Sequence, residues 1–139
     1  MTLTIRNQLP GTITAITPGE VMATVKLRLA GGQDLTAAIT REAVEDLGLA
    51  EGTAVNALVK ATEIALATAP IDGLSIRNRL PGTITGIATG GAMASVKIAV
   101  EGGALTAVIT RDATTDLALS PGAPVVALIK ATEVALATA

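Results

Sequence analysis

Four basic positions recur in the same order along the chain: Arg6 and Arg77, Lys26 and Lys97, Arg41 and Arg111, Lys60 and Lys130. Two of them sit in polar motifs that are themselves repeated. The first, Thr4-Ile5-Arg6-Asn7, returns as Ser75-Ile76-Arg77-Asn78. The second, Lys60-Ala61-Thr62-Glu63, returns as Lys130-Ala131-Thr132-Glu133. Between them, Ile39-Thr40-Arg41 and Ile109-Thr110-Arg111 place a threonine hydroxyl at a strand end and helix start. Guanidinium, ammonium, hydroxyl and free helix N–H groups are all donors, as a small oxyanion requires. A dianion such as molybdate, tungstate or sulfate carries no proton near neutral pH. A site built only of donors prefers it to hydrogen phosphate, whose proton needs an acceptor.

Each of these residues also has a plainer role. Lys26 and Lys97 fall on the polar face of a strand, where solvation or protection of a sheet edge is usual. Arg41 and Arg111 suit charge pairs on a helix surface. Asn7 and Asn78 can shape a turn, Lys60 can pair with Glu63, and Thr40 can serve simply as a helix cap.

Other chemistry is poorly supplied. The chain has no His, Cys, Phe, Trp or Tyr, and its net charge is −2. It therefore lacks an imidazole base, a thiol nucleophile and the nitrogen or sulfur ligands of zinc and copper. No aromatic ring is present to stack a base, so no nucleic-acid partner is expected. Ser75, Ser95 and Ser120 have no evident base, and Glu45-Asp46 reads as a solvated helix face. The glycines between Gly82 and Gly91 lack the spacing of a phosphate or dinucleotide loop. No enzymatic activity is expected. The first residues do not read as a secretory signal, and no apolar run approaches the ~18 residues of a membrane span. The expectation is a soluble cytoplasmic protein that does not engage membranes.

The positioning elements come in duplicate. Residues 3–33 align with 74–104, and 35–69 with 105–139, giving 66 pairs of which 41 are identical, with Asp34 the only insertion. The domains are expected at 1–69 and 74–139, joined by the turn-forming linker 70–73. Strict alternation in Val21–Leu29 marks a half-buried strand. Further strands are expected at Leu3–Arg6, Gly11–Thr17, Leu35–Thr40, Ala54–Lys60 and Ile64–Thr68, with hairpin turns at Gly31-Gly32 and Gly102-Gly103. Arg41–Leu47 reads as the one helix, capped by Thr40 and ended by Gly48. The fold class is all-β: two tandem OB-like small barrels, each with one short helix. A unit of that size buries only about 60% of its unfolded surface, and here no disulfide or metal assists. A homo-oligomer is expected on that ground.

The ordered motifs Arg-Asn, Leu-Pro-Gly-Thr-Ile, Gly-Glu-Val-Met-Ala-Thr-Val, Ala-Ala-Ile-Thr-Arg-Glu-Ala and Ala-Leu-Val-Lys-Ala-Thr-Glu, with their second-copy counterparts, resemble the molbindin, or Mop, family. The likeness covers both copies almost end to end, as in tandem di-Mop proteins. It implies an OB-like fold with a strand exchanged between units. It also implies assembly as a trimer that holds molybdate or tungstate at interfaces, with no organic cofactor.

Carried over by motif, the anion contacts are Thr4, Arg6, Asn7, Ser75, Arg77 and Asn78, completed by Thr40, Lys60, Thr62, Thr110, Lys130 and Thr132. Weaker candidates are the backbone at Val21, Met22, Ala92 and Met93 and at Ala61 and Ala131. Ala43 and Ala113 stand where several members carry Ser, leaving only a backbone N–H there. Two alternatives stay open: an oligomeric structural module without anion sites, and a stand-alone regulatory module of a molybdate transport system.

Overall fold

The computed structural model describes residues 2–139. Each repeat begins with a long strand, β1 (Asn7–Pro18), followed by β2 (Met22–Leu29) and β3 (Asp34–Thr40). Helix α1 (Arg41–Asp46) leads to β4 (Ala54–Val59), a single 3-10 turn (Ala61–Glu63) and β5 (Ala65–Ala67). The second repeat supplies β6 (Asn78–Thr89), β7 (Met93–Val100), β8 (Gly103–Thr110) and α2 (Arg111–Asp116). It closes with β9 (Pro124–Ile129), a 3-10 turn (Ala131–Glu133) and β10 (Ala135–Thr138).

The sheets do not follow the repeat boundaries. One has the order β10-β4-β1-β2-β3 and the other β5-β9-β6-β7-β8, all antiparallel. Each repeat thus lends its last strand to the other. The registers match: Ala135 faces Leu58 as Ala65 faces Leu128. Each sheet is curled but open, a half-barrel rather than a closed barrel.

Alternation drives this arrangement. Strand β2 is buried at every second residue, placing Ala23, Val25, Leu27 and Leu29 inward. Of these, Val25, Leu27 and Leu29 join Ile13, Val55 and Val59 with Leu80, Ile84, Val96, Ile98 and Ile129 in one continuous core spanning both repeats. As the central strands of the two curled sheets, β1 and β6 must bend. A register shift between Ile13 and Ala15, repeated between Ile84 and Gly86, supplies the bend. Gly11 is required beside it, since a Cβ there would lie 2.9 Å from the Arg28 carbonyl oxygen.

One expected strand is absent. Leu3–Arg6 is irregular and the strand begins at Asn7. The Arg6 side chain folds back, its Nε donating to the Thr4 carbonyl at 3.1 Å and its Nη2 to Leu3 at 2.7 Å. The guanidinium therefore takes carbonyls that a ladder would have used. Pro10, by contrast, sits within β1 without harm, because pairing with β2 starts only at Gly11. No helix among the described residues is long and apolar enough to cross a membrane.

Candidate functional site

The repeated motifs converge at the ends of β4 and β9. After Val59 the chain enters the 3-10 turn, where the Glu63 N–H donates to the Lys60 carbonyl at 2.9 Å. The Ala61 and Thr62 N–H groups, at the start of that turn, have no partner within it. This turn closes a cleft with the N-terminal motif, lined by Thr4, Ile5, Arg6, Lys60, Ala61 and Thr62. Thr4, Arg6, Lys60 and Thr62 are all exposed. Guanidinium, ammonium and hydroxyl groups thus share one opening.

The second half repeats the local geometry. Arg77 folds back with its Nε 3.1 Å from the Ser75 carbonyl and its Nη2 2.8 Å from that of Leu74. The Glu133 N–H closes the turn onto the Lys130 carbonyl at 2.9 Å, and Ser75 and Thr132 are exposed. Strand exchange then adds a contact between halves. The turn at 61–63 lies against β8, so Thr62 shares a cleft with Thr110, Lys130 and Met93. Thr62 meets residues 48 and 68 positions further along the chain there because β5 belongs to the other sheet.

Thr40 lies apart, in a cleft lined by Glu20, Val21, Arg41, Glu42 and Glu45. Its Oγ1 accepts the Ala43 N–H at 3.0 Å, and Thr110 does the same for Ala113 at 3.1 Å. Each threonine hydroxyl keeps its hydrogen for another acceptor. The backbone N–H groups of Ala43 and Ala113, expected as weak anion contacts, are instead engaged by these caps. Val21 is 73% exposed and Met22 and Met93 are each 44% exposed. The Val21 and Ala92 carbonyls accept the Arg41 and Arg111 N–H groups.

Asn7 and Asn78 depart most from expectation. Asn7 is 2% exposed, and its Nδ2 donates to the carbonyls of Val59 at 3.0 Å and Thr106 at 2.9 Å. Its Oδ1 accepts the Thr106 N–H at 2.7 Å. Both amide hydrogens are consumed, so no side-chain donor remains for an anion. Asn78 reaches Thr36 in the mirror sense, at 2.8 and 2.7 Å. The two amides clasp the halves together rather than shaping a turn. Their partners, Thr36 and Thr106, carry no sequence signal beyond their equivalence in the repeat.

The remaining basic residues divide. Arg41 Nε lies 3.2 Å from Glu45 Oε1, the helix-surface pair expected of it. Lys97 Nζ donates to Thr106 Oγ1 at 2.9 Å on an exposed strand face.

Comparison with known proteins places this geometry. The TOBE domain matches twice, over residues 3–66 and 74–136. The molybdenum-pterin-binding protein MopA of Rhodobacter capsulatus is 40% identical over 95% of this chain and 51% of its own length. The molybdenum transport protein ModE of Azotobacter vinelandii is 36% identical over 99% of this chain and 51% of its own. The chain spans about half the length of these curated relatives. Molybdenum-pterin-binding protein 3 of Clostridium pasteurianum is a single unit, 41% identical over 48% of this chain and 97% of its own length. Among solved structures, the cytoplasmic molybdate-binding protein ModG, in a form with molybdate bound, superposes with a TM-score of 0.96 at 41% identity, covering all of both chains. The resemblance to Mop proteins drawn from the motifs is borne out. Matched over nearly its whole length, the chain belongs to the TOBE-domain family and carries that domain twice.

Proposed function

We propose that this protein binds molybdate or tungstate in the cytoplasm, as a store or buffer of the oxyanion, and performs no catalysis. The observation that carries the reading is the grouping of Thr62, Thr110 and Lys130 in one cleft drawn from both halves. The companion cleft of Thr4, Arg6, Lys60 and Thr62 supports it. Both offer ammonium and hydroxyl donors, and the companion cleft adds the Arg6 guanidinium, a set suited to an unprotonated dianion. Likeness to ModG over the full length of both chains supports the same ligand. Because these clefts are open on one side, we further read the protein as a homo-oligomer, a trimer, whose neighbours complete them.

Thermal unfolding in the presence of each anion at matched ionic strength tests the reading. Molybdate and tungstate are expected to raise Tm while phosphate does not. Equal shifts from molybdate and phosphate would replace a site with general screening.

A further inference from the structure

The two halves are not electrostatically alike. Residues 1–69 hold five Lys and Arg against seven Asp and Glu, whereas residues 74–139 hold five against four. Much of that difference falls at one place. The cleft containing Thr40 is lined by Glu20, Glu42 and Glu45. Their counterparts beside Thr110 are Gly91, Asp112 and Thr115. Glu42 and Asp112 are equivalent carboxylates, and Glu63 and Glu133, which line the Thr110 cleft, are repeat equivalents of each other. Around Thr40 and Thr110 the halves therefore differ by the carboxylates of Glu20 and Glu45.

Glu45 acts in a second way. It holds Arg41, with Nε to Oε1 at 3.2 Å, so that guanidinium is already neutralised. Arg111 has Thr115 where Arg41 has Glu45, and no described carboxylate lies within ion-pair distance of it. Both arginines otherwise make the same weak contact, Nη1 to the carbonyls of Gly19 and Gly90 at 3.4 Å. The second half therefore presents an uncommitted guanidinium on the residue that follows Thr110. The first half presents a paired one beside two additional negative charges.

We infer that the two halves bind the oxyanion unequally, with Arg111 strengthening the cleft at Thr110 and Glu20 and Glu45 weakening its counterpart at Thr40. This rests on the oxyanion-binding reading above. Like charge disfavours a dianion more than a monoanion, and salt reduces the effect because these residues are exposed. Glu20 and Glu45 thus set affinity without touching the ligand.

Calorimetric titration with sodium molybdate at low and high salt tests this on the full chain. The parent should show a stronger and a weaker class of site, converging as salt rises. Glu20→Gln/Glu45→Gln should strengthen the weaker class by about five- to tenfold. Gly91→Glu/Thr115→Glu should weaken the stronger class by a similar factor; a Cβ at Gly91 meets nothing within 4 Å, so that variant should fold. Glu51→Gln/Asp72→Asn removes two carboxylates outside both clefts and should change neither class. A single class that neither cleft variant moves overturns the inference and leaves the binding reading standing. Equal effects from the cleft and control variants also overturn it, in favour of net charge. A parent that binds no molybdate overturns the binding reading and the inference together.

Discussion

At the scale of single residues, the lysines that end β4 and β9 differ from those on the strand faces. Lys60 and Lys130 open onto clefts that also hold threonine hydroxyls. Lys26 and Lys97 stand on exposed faces. A charge-assisted hydrogen bond to an anion contributes roughly 1.5–3 kcal/mol. Lys60→Ala/Lys130→Ala is therefore expected to weaken molybdate binding by about ten- to a hundredfold, with the fold retained. Lys26→Ala/Lys97→Ala should bind like the parent in the same titration. Parental binding by both variants would remove the lysines from the site; equal loss in both would mean diffuse attraction. The donor set was legible because it is repeated in sequence. The role of Asn7 was not, since its partner Thr106 lies 99 residues away and only the exchanged sheets bring them together. An amide beside a basic residue looks the same in sequence whether it faces a ligand or locks two halves.

At the scale of elements, local patterns were read from the residues themselves, whereas the strand exchange followed only from the resemblance to Mop proteins. Alternation located β2 to within a residue, and Thr40 capped a helix starting at Arg41, because both signals are contained in a few neighbouring side chains. The segment at Leu3–Arg6 has the composition of a strand, yet a side chain captured its carbonyls. The partner of β5 could not be read from its three residues, Ala-Leu-Ala, which β10 repeats almost unchanged. That equivalence carries a prediction. Residues 1–69 produced alone lack the strand that covers β4, but carry one of matching register. They are expected to form a homodimer by mutual exchange, with light scattering giving twice the mass of the fragment. A folded monomer of this fragment would show that β5 can turn back onto its own sheet. The Clostridium pasteurianum relative, which this chain matches over 97% of its length with one unit, shows that single-unit chains occur in the family.

At the scale of the whole molecule, the shared core changes the argument for assembly. Two isolated barrels would each be too small, but a fused body of this length buries nearer to 70% of its unfolded surface. Size alone no longer demands partners. The exposed side chains of Val21, lining the Thr40 cleft, of Met93, lining the Thr110 cleft, and of Met22 give a better reason. Light scattering at micromolar concentration is expected to give a trimer that loses its mass only as it unfolds. A stable folded monomer would confine binding to one chain. The exchange also dictates an order of events during synthesis. The first sheet needs Ala135–Thr138 beside Val55–Leu58, so its edge stays uncovered until that strand leaves the ribosome. Contacts of such sequence separation form slowly, and unpaired strand edges attract other chains meanwhile. Neighbouring ribosomes on one message would hold several such unfinished edges close together, each able to accept the closing strand of another chain.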